Sequence, residues 1–374
     1  DGTLRYSAGE VVDTLTTSAD GTATSTELYL GKYEIVETKA PYGMVLNEEP
    51  ISVELEYAGQ EVAVTSTSVS IYNERQKVQV MLYKDLEKDE LFEIGTGDEI
   101  LNVYFALYAA EDLTAADGTI IPKDGLIEIA GVQADGTLTF SADLPIGSYY
   151  VKEYSTNEHY LISEESYPVV FEYGEDTAVV EIVVNNGDAI LNEIIRGSIS
   201  GIKVDENGEP LPGAVFGLFK ADCTEFTDET AILTAKSAED GSFSFTDVPY
   251  GIWQIKEIST VEGYVLSDEI FEVQIDEDGQ VIKLGNIENK PVTGTVETTK
   301  VDKNYPENKL SGAVFQIYQD VNGNGTFDPD IDTLYGTMEE VEQGVYRLEG
   351  LPYAVFELRR MPVRRKIQDF VRCS

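Results

Sequence analysis

The chain has 374 residues and carries 69 acidic against 26 basic side chains, a formal charge of −43 at pH 7. That charge opposes binding to nucleic acid or to an anionic membrane surface, and no apolar run approaches the ~20 residues of a transmembrane helix. The length suits two to four β-domains, and a hydrophobic content of 42% supports packed cores rather than a disordered acidic tail.

The first predicted domain, residues 1–75, begins part-way through a repeat. Its segment DGTLRYSAGEVVDT parallels DGTIIPKDGLIE in the next repeat, so a first strand is expected upstream of Asp1. Without that strand, the domain has an unpaired sheet edge and an incomplete core. No signal peptide is found, and the chain is therefore interpreted as a fragment.

The second and third predicted domains, residues 76–194 and 195–291, repeat the same order of elements. The second begins with KVQVMLYKD, in which Lys84 shares one strand face with Val80 and Leu82. Short runs of alternating polarity follow, separated by Asp-Gly and Asn-Gly turns. This pattern predicts an all-β, Ig-like sandwich in each domain, and no long stretch has a helical period.

The fourth predicted domain, residues 292–374, keeps the repeat as far as Tyr353. Ala354 then stands where a glycine is expected, and Arg360 occupies the position of a repeated glutamate. From Arg359 onward, the last sixteen residues hold six basic side chains and one acidic one. We interpret this tail, from about residue 354, as an aberrant or frameshifted end. The alternative is a basic tail that recruits an acidic partner.

Histidine and cysteine are too sparse for the commonest metal sites and for a disulfide framework. His159 is the single histidine, which excludes metal catalysis by several histidines. Cys223 and Cys373 fall in different repeats. An extracellular protein of this composition therefore needs large cores or another covalent staple.

Three asparagines are each followed, eleven residues later, by a lysine, and a glutamate lies on a strand before each asparagine. The pairs are Asn73 with Lys84, Asn192 with Lys203, and Asn289 with Lys300, and the glutamates are Glu37, Glu153 and Glu257. A fixed constellation at a long period indicates tandem domains. Lys, Glu and Asn are also the side chains needed for an intramolecular amide cross-link.

The chemistry of such a cross-link follows from burial on apolar strand faces. A buried lysinium and a buried carboxylate are both costly, so the pKa of the lysine falls and that of the glutamate rises. The neutral amine is a nucleophile, and a protonated glutamate can polarise the asparagine carbonyl and pass protons to departing ammonia. Taken singly, each lysine also fits a solvated edge charge and each asparagine a turn. Their repetition in phase favours the cross-link.

Two repeated motifs carry a resemblance to a known family. The run GKYEIVE followed by APYG, and the runs LPGAVFGLF and LSGAVFQIY, resemble the collagen-adhesin B-type (Cna-B) repeats of Gram-positive surface adhesins and pilins. The resemblance implies prealbumin-like sandwiches in an elongated tandem array. It also implies a secreted protein that is attached to the cell wall.

The resemblance further assigns roles to the repeated residues. It implies cross-links between Lys84 and Asn192, promoted by Glu153, and between Lys203 and Asn289, promoted by Glu257. The incomplete triads leave three orphan members, which are Glu37, Asn73 and Lys300. Because each bond forms once, the chain is not predicted to be an enzyme with turnover.

The fourth domain also contains a candidate calcium loop. Oxygen-bearing side chains alternate around a turn glycine, as in the first nine positions of an EF-hand-like loop. These residues are Asp320, Asn322, Asn324, Thr326 and Asp328. Ile331 occupies the twelfth position, where a bidentate glutamate belongs, so the run also fits a plain turn. No other cofactor is expected.

The predicted function is the structural stalk of a bacterial surface adhesin or pilin. The stalk is expected to be monomeric, to join peptidoglycan through a C-terminal region outside this sequence, and to hold a distal region that contacts host matrix or glycan. Neither nucleic acid nor membrane insertion is expected. Two alternatives stay open. One is direct binding of host matrix or glycan, which an exposed aromatic groove absent from sister domains would favour. The other is an accessory role in an extracellular enzyme.

Overall fold

The structure, a computed structural model, describes residues 3–174 and 177–353, and the backbone of residues 356–361. Strands account for nearly all its secondary structure, and the predicted all-β fold is confirmed. The described residues include two short 3-10 turns, Glu99–Asn102 and Val184–Gly187. They include no helix long and apolar enough to cross a membrane.

The chain divides into two compact units. The first comprises residues 1–87, 97–157 and 162–192, and the second comprises residues 88–96, 158–161 and 193–374. The strands of the first unit are β1 Gly31–Ile35, β2 Ile51–Leu55, β3 Lys77–Leu86, β4 Tyr104–Ala109, β5 Leu113–Thr114, β6 Ile120–Ile121, β7 Leu126–Gly131, β8 Thr137–Thr139, β9 Gly147–Ser155, β10 Ser166–Phe171, β11 Val179–Val183 and β12 Ile190–Asn192.

Two of the sheets in the first unit form the sandwich of the second domain. One has the order β10-β9-β4-β7, and the other has the order β11-β3-β12 with β8 also paired to β3. Alternate residues of each strand point to the same face, so the inward side chains Leu82, Phe105 and Val151 are fully buried. Burial of these faces supplies the main driving force for the sandwich.

The first domain contains fewer strands than the other domains. Its strands β1 and β2 pair antiparallel, whereas residues 3–30 and 56–74 contain no strand. The two strands of this domain therefore pack without a fully buried residue among residues 3–75.

The second unit contains two further sets of paired sheets. Its strands are β13 Arg196–Val204, β14 Val215–Lys220, β15 Leu233–Lys236, β16 Ser242–Pro249, β17 Gly251–Ser259, β18 Ile270–Ile275, β19 Gln280–Glu288, β20 Thr293–Thr299, β21 Val314–Gln319, β22 Thr333–Thr337, β23 Glu339–Glu342, β24 Val345–Pro352 and β25 Phe356–Met361. The third domain consists of the sheets β16-β13-β19 and β15-β14-β17-β18, and the fourth of the sheets β20-β24-β23 and β22-β21-β25.

The first and last strands of a domain are parallel neighbours. In the second domain, β3 pairs in parallel with β11 and then with β12. In the third domain, β13 pairs in parallel with β19. This pairing places the lysine of the first strand near the asparagine that ends the last strand in the second domain and directly follows it in the third.

The fourth domain continues its strand register beyond the point where the sequence motif stops. Strand β25 pairs antiparallel with β21, and Arg360 faces Phe315. The matching phenylalanines of the second and third domains face Glu153 and Glu257. Arg360 thus occupies the glutamate position, as the sequence predicts. Ala354 and the basic segment 362–374 lie outside the described residues.

Candidate functional site

Lys203, Glu257 and Asn289 meet in the core of the third domain. Lys203 lies on β13, Glu257 on β17, and Asn289 directly follows β19. Their exposed fractions are 0%, 1% and 2%. The Nζ atom of Lys203 lies 3.8 Å from Oε1 of Glu257, and Nδ2 of Asn289 donates hydrogen bonds of 2.9 Å to both carboxylate oxygens.

Strand pairing and alternation explain why these side chains converge. Lys203 faces Ile287 across the parallel pair of β13 and β19, and its Nζ donates a hydrogen bond of 3.1 Å to the Ile287 carbonyl. On β17, the alternate residues Trp253, Ile255 and Glu257 point inward, and all three are buried. The carboxylate is therefore held on an apolar face opposite the lysine.

The second domain repeats the arrangement with Lys84, Glu153 and Asn192. These residues lie on β3, β9 and β12, and all three are buried. The Nδ2 atom of Asn192 donates a hydrogen bond of 2.7 Å to Oε1 of Glu153. The Nζ atom of Lys84 donates to the carbonyls of Asp85 at 2.7 Å and of Ile190 at 2.8 Å.

Burial shifts the acid–base behaviour of three of these groups. Desolvation lowers the pKa of Lys84 to about 8, although Glu153 opposes the shift. It also lowers the pKa of Lys203, against the attraction of Glu257. Desolvation raises the pKa of Glu153, although the backbone N–H of Ser163 opposes that change. These directions bring the lysines nearer to neutral amines and Glu153 nearer to a neutral acid, as the sequence predicts.

Two threonines belong to these sites and were not found by sequence reasoning. Asn192 Nδ2 donates a second hydrogen bond, of 2.9 Å, to Oγ1 of Thr156. Asn289 Nδ2 likewise donates one of 2.6 Å to Oγ1 of Thr260. Each threonine lies three residues after its glutamate. That common offset is a signal the sequence did contain.

A backbone amide also contacts each glutamate. The N–H of Ser163 donates to Oε2 of Glu153 at 2.6 Å, and the N–H of Ser267 donates to Oε2 of Glu257 at 3.0 Å. Each donor lies ten residues after its glutamate. These bonds fix the carboxylate where it meets the asparagine.

The side-chain amides of Asn192 and Asn289 have the opposite orientation to the one expected from the sequence. The glutamate accepts a hydrogen bond from Nδ2 in both sites, whereas the expected contact was with the carbonyl oxygen. In the described chain, Oδ1 of Asn192 and Oδ1 of Asn289 are buried without a hydrogen-bond partner. The physical reason is that a carboxylate accepts hydrogen bonds and a protonated acid donates one. The two protonation states of glutamate therefore favour opposite orientations of the amide.

A family model gives the decisive comparison. The model of the SpaA prealbumin-like fold domain matches residues 3–69, 93–188 and 197–290. The chain belongs to this family. The three matches are three prealbumin-like domains in tandem, and the resemblance to repeats of Gram-positive pilins and adhesins is confirmed.

Several solved structures are also similar to this chain. The Bacillus anthracis TIE protein is 22% identical, with 94% of this chain and 68% of that chain covered and a TM-score of 0.54. GBS52, the minor pilin of Streptococcus agalactiae, is 20% identical over 58% of this chain and 96% of that chain, with a TM-score of 0.25. BcpA, the major pilin subunit of Bacillus cereus, is 19% identical over 74% and 93%, with a TM-score of 0.31. Among curated proteins, none matches the chain.

The first prealbumin-like domain has a half-site. Nδ2 of Asn73 donates a hydrogen bond of 2.6 Å to Oε2 of Glu37, and the N–H of Asn47 donates one of 2.7 Å to the same oxygen. Asn47 lies ten residues after Glu37, as in the complete sites. The position of the threonine is Ala40, and Asn73 Nδ2 instead donates to the carbonyl of Val45 at 2.9 Å.

The fourth domain retains the lysine of the constellation. Lys300 is half-buried, and its Nζ donates a hydrogen bond of 3.2 Å to the carbonyl of Val301. Its backbone N–H donates to the carbonyl of Gly344. In strand register, Arg360 occupies the glutamate position of this domain. The described residues therefore do not bring a complete triad together here.

The candidate calcium loop is closed by hydrogen bonds within itself. Backbone N–H groups of Gly323 and Gly325 donate to the Asp320 carboxylate at 2.7 and 2.8 Å. Nδ2 atoms of Asn322 and Asn324 donate to Oδ2 of Asp328 at 2.9 and 2.6 Å. These amide donors lower the pKa of Asp328.

Two further features bear on the metal prediction. The hydroxyl of Thr326 donates to Oδ1 of Asn324 at 2.7 Å, and Asp332, one position after Ile331, is buried and accepts the N–H of Asp328 at 2.7 Å. Over the described part of the chain, no group of three or more His, Cys, Asp or Glu residues is close enough to hold a metal ion. Calcium binding therefore stays a prediction.

Proposed function

We propose that this chain is part of the structural stalk of a Gram-positive surface adhesin or pilin, and that Lys–Asn isopeptide bonds staple its second and third domains. The stalk would be secreted, anchored to the cell wall, and hold a distal region that meets host matrix or glycan. The observation that carries the proposal is the burial of two matching Lys, Glu and Asn sets, at most 6% exposed, in tandem prealbumin-like domains.

The first chemical step is proton transfer from lysine to glutamate. Lys203 and Glu257 lie 3.8 Å apart with almost no exposure to water. In an apolar interior, two charged side chains carry a large desolvation penalty, and the neutral pair avoids it. Proton transfer therefore yields an amine nucleophile and a carboxylic acid in the same step.

The second step joins the amine to the asparagine. The Nζ lone pair attacks Cγ, and the resulting tetrahedral centre collapses by breaking the Cγ–Nδ2 bond. The glutamic acid gives its proton to Nδ2 and recovers one from Nζ, so ammonia leaves and the carboxyl group is unchanged overall. Fixed proximity within one fold supplies much of the rate. Each domain reacts once, and the chain has no turnover.

Intact-mass spectrometry tests the proposal directly. Each bond releases one ammonia, a loss of about 17 Da in this condensation. We expect the folded chain to show two such losses, and peptide mapping to join Lys84 to Asn192 and Lys203 to Asn289. The full mass in a well-folded chain would reject the cross-links. A third loss would reject the assignment of incomplete sites.

The stalk role has a mechanical test of its own. A bond between the first and last strands shields the intervening fold when the chain is pulled from its ends. We expect single-molecule pulling to show no full unfolding step for the second and third domains. The variants Glu153→Ala and Glu257→Ala should each release one whole domain. Full unfolding of the parent at the forces of ordinary β-sandwiches would contradict the stalk mechanism.

We further propose that calcium binds the loop from Asp320 to Asp328. The acidic and amide oxygens favour a hard cation, and binding would replace the present hydrogen bonds within the loop. Added calcium should raise the melting temperature of the fourth domain by mass action, and Asp320→Ala should remove that shift, whereas Asp330→Ala should retain most of it. A titration without heat or stabilisation would make the loop a plain turn.

A further inference from the structure

The outer face of the sheet β10-β9-β4-β7 carries a row of apolar side chains that crosses all four strands. The strand register aligns Tyr108 of β4 with Leu126 of β7 on one side and with Tyr150 of β9 on the other. Pro168 of β10 is aligned in turn with Tyr150. Alternation places this tyrosine row on the face opposite the core residue Val151. The two tyrosines are half-buried and the outer two residues are exposed, so the row is open to solvent.

The tyrosines of the row form a stacked pair. The ring centroids of Tyr108 and Tyr150 lie 5.1 Å apart, with 14° between the ring planes. Each ring limits the freedom of the other, so a partner that binds the pair orders little that is not already ordered. Further exposed apolar side chains on the same face are Tyr104, Ile129 and Val170. A contiguous apolar surface of this kind is typical of an interaction site.

The matching face of the third domain is covered by a loop of that domain. Phe219 stands three residues after the phenylalanine that faces the glutamate, which is the position of the β4 tyrosine in the second domain. It is fully buried, and its ring packs edge-on against Phe226 of the segment 221–232 at 5.0 Å. Polar residues, Gln254 and Glu272, continue the row across β17 and β18. The third domain therefore lacks the open aromatic row.

Carboxylates lie at the end of the sheet where β4 ends and β7 and β9 begin. The hydroxyl of Tyr150 donates a hydrogen bond of 3.2 Å to Oδ1 of the exposed Asp124. Burial and then the bond to Asp124 raise the pKa of Tyr150. Oε1 of Glu111 accepts the N–H of Ser148 at 2.9 Å. The half-buried Lys152 is the next outward residue of β9 in the other direction, so a cation would reach the tyrosines from the carboxylate end.

We propose that the tyrosine row of the second domain is a docking surface for an extended, arginine-bearing peptide segment of a partner protein. A guanidinium group stacks on a tyrosine ring and pairs with the carboxylate of Asp124, and its planar shape serves both contacts. The apolar stems of the arginines lie along Leu126 and Pro168. The inference goes beyond the stalk function and does not depend on the cross-links, because these residues belong to neither reactive site.

Charge complementarity favours this occupant over others. The chain carries a formal charge of −43, which steers a cationic partner toward it and opposes the approach of an anionic glycan or of a second copy. A neutral glycan would stack on the tyrosines, but it would gain nothing from the charge of the neighbouring carboxylates. It is the alternative that the experiment must separate.

The test measures fluorescence anisotropy of a labelled peptide, with arginine and threonine alternating, as the full chain is added at about 0.15 M salt, where long-range attraction is screened. We expect saturable binding. The same peptide with glutamine in place of arginine should bind at least about tenfold more weakly. Equal binding of the two peptides would contradict recognition of the guanidinium group.

Variants of the chain locate the site. Tyr108→Ala and Tyr150→Ala should each weaken binding about tenfold, whereas Tyr150→Phe, which keeps the ring, should bind like the parent. Asp124→Asn should weaken binding several-fold. Glu181→Gln removes the same charge from an exposed position on β11, and it should leave binding unchanged. Melting temperatures show that each variant is folded.

Three outcomes would overturn the proposal. Equal weakening by Asp124→Asn and Glu181→Gln would reduce the binding to general attraction between opposite charges. Calorimetric binding of the neutral glycan cellohexaose, lost in Tyr150→Ala, without binding of the arginine peptide would assign the face to a glycan. Absence of binding by both probes would show that the row is not a docking surface. None of these results bears on the ammonia losses that test the proposed function.

Discussion

The second and third domains assemble the same three side chains around different last strands. In the third domain, β19 follows β13 over nearly its whole length, with one shift of register. In the second domain, the last strand is split into β11 and β12 by the turn Val184–Gly187. The split leaves the middle of β3 without a strand partner on that side, next to Lys84.

The surroundings of the two lysines also differ. An open cleft beside Lys84 is lined by Asp85, Asp135 and Gly187 among others. Lys84 is 4% exposed and donates to the carbonyl of Asp85, whereas Lys203 is 0% exposed and lies within 3.8 Å of Glu257. The comparison teaches that the same three side chains can be brought together beside a continuous or a split last strand.

Removing the glutamate should have the largest effect in both domains. Glu153→Ala and Glu257→Ala should each retain one ammonia that the parent loses. The Lys84–Asn192 bond closes a loop of about 108 residues and the Lys203–Asn289 bond one of about 86. On the chain-entropy model for disulfides, such loops gain roughly 4 to 5 kcal/mol. Both variants should therefore melt earlier, as measured by calorimetry together with intact mass.

Matched controls keep that result specific. Glu181→Ala on β11 and Glu272→Ala on β18 alter exposed carboxylates of the same domains, and they should keep both the bond and the melting temperature. Loss of the bond in only one of the two glutamate variants would show that the domains do not share one mechanism.

The pH dependence of bond formation should distinguish proton sharing from simple deprotonation. The neutral pair and the ion pair of Lys84 and Glu153 contain the same number of protons. The rate should therefore be level between the raised pKa of Glu153 and the Lys84 pKa of about 8. Above that value it should fall about tenfold per pH unit, because the pair has lost the shared proton.

The measurement starts from chain recovered unfolded in denaturant and refolded at a series of pH values, with ammonia loss followed by mass. Peptide mapping reads the two domains separately. A rate that rises through pH 8 would show that only the neutral amine is needed, and it would contradict the role of the glutamic acid. Different upper limits for Lys84 and Lys203 would show that the two domains lower the lysine pKa to different extents.

The threonines should give the smallest of these effects. Thr156→Val and Thr260→Val preserve shape but remove an acceptor for the asparagine amide. A hydrogen bond of this kind contributes about 1 kcal/mol, so the bond should form several-fold more slowly in the altered domain. Thr→Ser at each position should restore the rate. If both valine variants lose ammonia during refolding at the rate of the parent chain, the threonines contribute only to packing.

Period-two alternation made the triads predictable from sequence. Lys84, Glu153 and Asn192 each follow inward apolar residues on a strand, so their burial and convergence could be expected before the fold was known. The threonines were missed because a hydroxyl three residues beyond a strand glutamate also fits an ordinary turn. Their common offset from Glu153 and Glu257 was the overlooked signal.

Other features depend on tertiary pairing and had no comparable sequence signal. The Asn-Asn-Gly run at 185–187 indicates a turn, but the cleft it opens depends on which strand it interrupts. The strand Phe356–Met361 continues the sheet although the motif residues have changed, because backbone pairing with β21 does not require the glutamate. The strand pairing of a repeat can therefore be retained where the side chains that identify the repeat have changed.

The parallel pairing of β13 with β19 has a consequence for resistance to proteolysis. With the proposed bond, tension entering at Arg196 would pass along eight residues of β13 to Lys203 and leave through Asn289. The intervening residues 204–288 would form a closed loop that does not carry the tension. A protease that cuts an exposed turn within this loop would sever the backbone, yet the two ends of the domain would remain covalently joined.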